Sequence, residues 1–275
     1  MEQQKLDKKR KTFYCSPSIE NFREKLKARI GLPEWKWYFP FGKVIFFGMY
    51  RFSDYLKFII HRGEKKIFWC GSDIINLSKR PFWKFVLTKY HIRHFCENQH
   101  EQNVLSNMGF IPPIICPMIF SIPNTEIAYK HSKIPHVYLT AHEDREEEYG
   151  VNVIKHIAPQ IKEVIFHIYG INGKSYENII FHGKVSDKQF NDEIRNYQAS
   201  IRLNVFDGFA ETTAKSILHG QYPITYIYYP KIDWAKDMDT LIELLKDLKY
   251  KKEPNYEGRD YWIKELENNL CTVLS

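Results

Sequence analysis

The chain has 275 residues, of which 44% are hydrophobic and 27% charged, with 13 Gly and 13 Pro. That balance excludes a disordered or collagen-like chain and leaves room for one large domain or two small ones. The formal net charge is +7, and nearly all of it sits in residues 1–43, where eleven Lys and Arg face five acids.

Residues 1–43 read as a basic, partly disordered segment, either simply solvated or able to touch nucleic acid or an anionic membrane surface. Cys15, Cys70, Cys96, Cys116 and Cys271 are odd in number and form no CxxC pair, which argues against a disulfide framework and a cysteine zinc site. They suit a reducing compartment, so a cytoplasmic location is expected. No run of about 18 apolar residues occurs, so no spanning helix is expected. The aromatic share of 16% serves core packing, sugar binding or base binding.

From residue 44 onward, short apolar runs alternate with helical spacing. Val44–Phe47 reads as a buried parallel strand, and Phe52–His61 as a helix. Ile67–Cys70 is a strand whose exit loop is Gly71-Ser72-Asp73. Pro81–Lys89 is a helix with proline at a favoured first position. His91–Glu97 is a strand, and Gln99–Met108 a helix closed by Gly109. Four prolines between 112 and 123 mark a linker. A second series then begins. His136–Thr140 is a strand, Glu148–Ala158 a helix with an acidic first turn, and Val164–Tyr169 a strand ending at Gly170. Ile179–Phe181 is a short strand, followed by a helix to Tyr197 capped by Ser186 or Asp187. Ser200–Val205 is a strand, Glu211–Leu218 a helix, and Pro223–Ile227 the last strand. Asp237–Leu248 and Arg259–Leu270 are helices. This alternation predicts an α/β fold with two Rossmann-like domains of parallel strands, whose ligands bind outside the carboxyl ends of the strands.

Three segments carry candidate chemistry. In Asn204–Thr213 an apolar strand turns at Gly208 into a helix whose first turn holds Thr212 and Thr213. Such a start suits a diphosphate, and equally an ordinary turn with a threonine cap. Phe181-His182-Gly183 ends a strand, where His182 is either a core or turn histidine or a ligand contact. Gly71, Ser72 and Asp73 leave another strand, where Asp73 either caps the next segment or binds a hydroxyl. His91 and His94 fall on opposite faces of a strand. No HExxH, GxSxG, Walker A, kinase or GxGxxG pattern occurs, so no metal or bound cofactor is expected.

In order, these pieces resemble the C-terminal domain of GT-B glycosyltransferases that use nucleotide sugars, in particular the large retaining family (glycosyl transferases group 1). Val137–Leu139, Tyr149–Ile154, Val164–Gly170, Phe181-His-Gly-Lys-Val185, Asp207-Gly-Phe209 and Gly220–Ile224 carry the resemblance, which covers about residues 136–226. Lys66–Asp73 and Asn98–Gly109 extend it more weakly into the first series. The resemblance implies residues 44–123 as an acceptor domain, 124–256 as a nucleotide-sugar domain, and a helix over 257–275 that returns to the first domain. It implies metal-independent transfer from a nucleotide-diphosphate sugar to a glycan or lipid-linked acceptor by an enzyme that is soluble or peripheral to the membrane.

The family carries two acids eight positions apart. Asp207 takes the place that contacts the donor sugar; the second place falls on Lys215, with Glu211 one helical turn earlier on the same face. By the resemblance, Asp207 and Glu211 are the catalytic candidates. Gly170, His182, Gly183, Arg202, Gly208, Phe209, Thr212, Thr213 and Lys215 are the donor-side candidates, and Gly71, Ser72 and Asp73 the acceptor-side ones. The family's diphosphate-gripping basic pair is not evident. Arg145 is the nearest arginine, Tyr149 precedes the helix glycine, and Arg202 is the expected substitute. Two further readings stand beside this one: transfer to a modified base in DNA, with the basic segment holding the nucleic acid, and a degenerate module that binds a sugar nucleotide without turnover.

Overall fold

The computed structural model describes residues 11–121 and 126–275. They fall into two compact units, one of residues 11–121, Phe206–Phe209 and Leu266–Ser275, the other of residues 126–205 and Ala210–Glu265.

The first unit is built on five parallel strands, β1 (Lys11–Cys15), β2 (Lys43–Phe47), β3 (Glu64–Phe68), β4 (Arg93–Cys96) and β5 (Ile114–Ile115), paired in sequence order. Helices α1 (Arg23–Ile30), α2 (Phe52–Ile60), α3 (Ser72–Ser78), α4 (Pro81–Thr88) and α5 (Gln99–Asn107) connect them. Alternate residues of each strand enter two different cores. Val44, Phe46, Ile67 and Trp69 pack with Tyr55, Phe58 and Trp83 on one side. Ile45, Phe47, Phe68 and Phe95 pack with Phe13, Leu26, Cys116 and Val273 on the other. A strand covered on both faces must be apolar at every position, which is why these runs show no polar alternation.

The expectation of a partly disordered segment over 1–43 fails where that stretch is described. Lys11–Cys15 is an edge strand in register with β2, Lys11 facing Lys43 and Cys15 facing Phe47. Its Phe13, Tyr14 and Cys15 are buried, and Arg23–Ile30 is a helix that buries Leu26 and Ile30. The two polar residues that open β1 hide a three-residue apolar run from a periodicity reading. Residues 1–10, the rest of the basic stretch, lie outside the described residues.

The second unit holds six parallel strands, β6 (His136–Thr140), β7 (Ile165–Tyr169), β8 (Ile179–Gly183), β9 (Ala199–Arg202), β10 (Ile224–Thr225) and β11 (Asp233–Trp234), in the order β8-β7-β6-β9-β10-β11. This is the doubly wound 3-2-1-4-5-6 order. Its helices are α6 (Val151–Ile157), α7 (Asp187–Ile194), α8 (Glu211–Leu218), α9 (Met238–Asp247) and α10 (Tyr256–Leu274). Ser186, not Asp187, caps α7, accepting the Gln189 amide at 3.2 Å. α6 starts three residues later than expected because Gly150 takes φ +77° just before it. Up to Glu265, α10 belongs to the second unit, and from Leu266 to the first.

One asparagine organises the approach to β8. Buried Asn178 donates through Nδ2 to the carbonyls of Ala158 (3.0 Å), Ile161 (3.1 Å) and Val164 (2.8 Å). Asn178→Ala takes a shared donor from three buried carbonyls, of which those of Ala158 and Ile161 keep a backbone amide, so we expect a loss of about 1–3 kcal/mol in urea or thermal unfolding. A change below about 0.5 kcal/mol, the range of an ordinary surface substitution, contradicts this account.

Candidate functional site

In the second unit the chain runs outward in opposite directions from β6 and β9, which are neighbours. Loops leaving these two strands therefore diverge at their carboxyl ends, which makes a ligand crevice in a parallel sheet. The β6 exit leads through Arg145 and Tyr149 to Gly150, and the β9 exit is Arg202-Leu203-Asn204. At Gly150 a Cβ would lie 2.6 Å from Leu203 Cβ, so glycine lets the start of α6 touch the β9 exit. The Tyr149 ring is flanked by two guanidiniums, Arg202 at 4.4 Å and Arg145 at 5.5 Å. Arg202, the expected substitute for the family's basic pair, and Arg145 thus lie about one tyrosine ring, an arrangement that the sequence did not predict.

α8 lies beyond the same strand. Its N-cap residue Ala210 offers no side chain to the first-turn amides. Thr212 and Thr213 are buried, and their hydroxyls, with Asn204 Oδ1 and Ser200 Oγ, have no hydrogen-bond partner. Orphaned hydroxyls at a helix start are groups that an anionic ligand satisfies. Glu211 and Lys215 pair at 3.0 Å across one helical turn, and the Lys215 ammonium lies 5.2 Å from the Phe190 ring centroid.

Gly170 has φ +90°, and a Cβ there would lie 2.3 Å from the Ala141 carbonyl oxygen. It allows close passage of the β6 and β7 exits. At Gly183 the clash would be with Asn172 Oδ1, at 2.6 Å. His182 belongs to a file of histidines crossing β6, β7 and β8 that a linear reading misses. His136 Nδ1 bonds His167 Nε2 at 2.9 Å, and His167 Nδ1 bonds His182 Nε2 at 2.9 Å. His182 Nδ1 lies 3.4 Å from Glu193 Oε2, and Tyr169 donates its hydroxyl to the same carboxylate at 2.5 Å. The residues are 31 and 15 positions apart, and only the strand register aligns them. Their ring nitrogens are engaged with one another, and no group of three or more His, Cys, Asp or Glu suited to a metal ion occurs among the described residues.

In the first unit the candidates have a different environment. The segment Phe206–Phe209, placed by sequence in the nucleotide-sugar domain, packs with the first unit. Phe206 meets His100 edge-on, Asn98 Nδ2 donates to the Asp207 carbonyl at 2.7 Å, and the Phe209 amide donates to Glu97 Oε2 at 3.0 Å. A Cβ on Gly208 would lie 2.0 Å from Glu97 Oε2, so only glycine lets the loop settle on this carboxylate. Glu97 in turn donates its amide to Glu101 Oε2 at 2.7 Å. The Asp207 carboxylate accepts the Gly208 amide at 3.0 Å.

Gly71 also borders this loop: a Cβ on it would lie 3.0 Å from the Gly208 nitrogen. Ser72 is exposed. Asp73 is fully buried and accepts the Met49 and Cys70 amides, each at 3.0 Å, so its carboxylate holds two strand exits. Burial raises Asp73 to about 7 and lifts Glu97 and Glu101 well above the usual carboxyl range, with the Glu97 charge adding to the rise at Glu101. Sequence reasoning missed Glu97 and Glu101; their spacing at i and i+4 across a helix start looks like a solvated acidic turn.

No family model matches the chain, and no curated protein matches it. Solved structures do. A variant of S. aureus TarM, in complex with Fondaparinux, alpha-GlcNAc-glycerol and UDP, superposes with a TM-score of 0.56 at 9% identity over 85% of this chain and 54% of that one. The lipopolysaccharide outer core galactosyltransferase WaaB gives 0.57 at 14% identity over 93% and 81%. The UDP-forming alpha,alpha-trehalose-phosphate synthase of Burkholderia xenovorans, in complex with glucose-6-phosphate, gives 0.57 at 7% identity over 91% and 80%. The chain spans about half the length of TarM. The fold is that of the GT-B glycosyltransferases.

The histidine file gives this GT-B chain a pH signature. Burial, then the neighbouring rings, pushes His167 from 6.5 down to about 3, and burial also lowers His136 and His182. The folded chain keeps these rings neutral where the unfolded chain protonates them. Stability is therefore full above about pH 6.5 and falls as the pH drops from there toward about 3. For His167→Gln the slope of unfolding free energy over pH 4–6 should flatten by one proton, about 1.4 kcal/mol per pH unit. An unchanged slope in chemical denaturation contradicts the burial of a neutral His167.

Proposed function

We propose that the chain is a glycosyltransferase that moves a sugar from a nucleotide-diphosphate donor to a glycan or lipid-linked acceptor without a metal ion. The observation that carries this reading is the cation pair around Tyr149 at the switch point of the 3-2-1-4-5-6 sheet, beside an α8 start with orphaned hydroxyls. Departure of a nucleoside diphosphate builds negative charge on its outer phosphate. Fixed guanidiniums and amide dipoles that already face this position stabilise that charge without reorganising. Arg202 supplies the cation in this reading, with Arg145, itself bound to Glu148, on the same tyrosine ring, and the α8 amides with Thr212 and Thr213 supply the hydrogen bonds.

Asp207 contacts the donor sugar, held in place through Asn98 and the Phe209 amide. Lys215 neutralises Glu211, so the helix face where the family carries its second acid presents an ion pair toward the nucleotide. Gly170, His182 and Gly183 shape the donor side through loop approach and the histidine file. On the first unit, Ser72 and the Gly71 backbone offer polar groups to an acceptor, with buried Asp73 fixing their loop. All five cysteines are free, which supports a reducing, cytoplasmic setting.

The test is nucleotide release on incubation with UDP-, GDP- and ADP-sugars, with and without EDTA. Release by at least one donor, unaffected by chelator, is expected. Arg202→Ala should lower turnover about 100-fold, as removal of a fixed charge-stabilising group does, and Asp207→Ala by a similar factor. Gly208→Ala should also lower turnover while the thermal melt still shows a folded chain. Absence of release and of any binding shift overturns the proposal; binding without release selects the degenerate module.

A further inference from the structure

The first unit has a surface that its core does not explain. α2 is apolar on two sides: Tyr55 and Phe58 are buried, while Phe52 is 60% exposed and Leu56, Ile59 and Ile60 are exposed with it. α4 repeats this, with Trp83 and Leu87 buried and Phe82 and Phe85 exposed at 66% and 61%. The two exposed stripes join, since the Phe52 and Phe82 rings lie 5.5 and 5.2 Å from Trp83. At the other end of α2 the Arg62 amide donates to the Pro40 carbonyl at 2.7 Å. This fixes the loop that presents Trp37, Tyr38, Phe39 and Phe41, all exposed, and Trp35 Nε1 closes the same loop on the Phe39 carbonyl at 2.9 Å. Exposed apolar stripes that join in this way, with a further exposed aromatic loop tied to the end of α2, mark a contact site in a folded protein.

Charge identifies the occupant. The stretches 35–63 and 74–96, which contain this surface, carry ten Lys and Arg and one acid. That acid is Asp54, fully buried and engaged by Tyr14, Ser16 and the Tyr50 and Arg51 amides. Where the α2 stripe ends, Lys43, Arg62, Lys65, Lys66 and Arg93 line an open groove of about 550 Å³. Its one acidic side chain, Glu64, is bound to Lys43 at 2.6 Å. The Lys65 ammonium rests on the Phe58 and Tyr90 rings, 4.6 and 4.7 Å from their centroids. No helix among the described residues is long and apolar enough to cross a membrane.

We propose that this face docks on an anionic phospholipid bilayer. The rings of α2, α4 and the 37–41 loop enter the interfacial layer, and the cationic groove takes lipid phosphate. Aromatic side chains beside lysine and arginine match the apolar-to-anionic gradient of a leaflet surface. A second copy of the same face would bring like charges together, and a nucleic acid backbone would leave the apolar rings in water. The face contains none of the donor residues proposed above, so it stands or falls apart from that reading.

The test is flotation of the full chain with vesicles of phosphatidylcholine alone and with 30–50% phosphatidylglycerol. Binding is expected on the anionic vesicles, at least about tenfold weaker on neutral ones, and falling as salt rises. The double variant Phe52→Ser/Phe82→Ser should bind at least about tenfold more weakly through lost interfacial burial. Arg62→Gln/Arg93→Gln should lose about fivefold per cation. Both variants should keep the parent melting curve and nucleotide release on a soluble acceptor, because the altered side chains are exposed. No vesicle binding at low salt overturns the proposal. So does a dimer in solution that the phenylalanine variant abolishes, or retention on duplex DNA that survives that variant without vesicle binding.

Discussion

The hydrogen bond from the Phe209 amide to the Glu97 carboxylate fixes what the rest of the candidate chemistry depends on. It joins residues 112 positions apart and holds a four-residue excursion of the second series on the first unit. The bond exists because Gly208 has no side chain, since any Cβ would overlap the carboxylate it must pass. Glu97 is itself held by α5, whose N-cap Asn98 also grips the Asp207 carbonyl. One buried helix start thus sets the backbone on both sides of Gly208, next to Asp207. A buried carboxyl is costly without donors, and here the loop supplies one of them.

The two units treat the carboxyl ends of their strands in opposite ways. In the first, buried acids close them: Asp54 and Asp73 bind the amides after β2 and β3, and Glu97 and Glu101 sit after β4. In the second, the β6 and β9 exits carry arginines around one tyrosine, and the next helix leaves hydroxyls unsatisfied. Burial favours the neutral form of Asp73, Glu97 and Glu101 at the first set of strand ends, while the second set carries guanidiniums. The contrast between the units lies in the side chains of these loops, while both sheets remain ordinary parallel structures.

Much of the fold is legible in the sequence because parallel strands covered on both faces must be apolar throughout. Val44–Phe47 and Ile67–Cys70 announce themselves in this way, and Gly48 and Gly71 after them mark the exits. β1 escapes because lysine and threonine open it, and β11 because two residues have no periodicity. The candidate site is legible only where it is local. Gly208, Thr212 and Thr213 can be read from a strand-turn-helix pattern. The association of Arg202 with Tyr149, the histidine file and the Glu97 anchor depend on which strands are neighbours, and no spacing along the chain encodes that.

The first unit is assembled from three stretches of sequence, the last being Leu266–Ser275. Val273 lies in the same core as Phe13, Phe47 and Phe95, and its carbonyl accepts from buried Lys66 at 3.1 Å. During synthesis the amino-terminal sheet therefore emerges long before one wall of its core is made. Ribosomes deliver the N-terminal part first, yet here it is the part that finishes last. The second unit needs no residue beyond Glu265, so it is complete while its older neighbour still exposes the apolar surface that the final turns of α10 will cover.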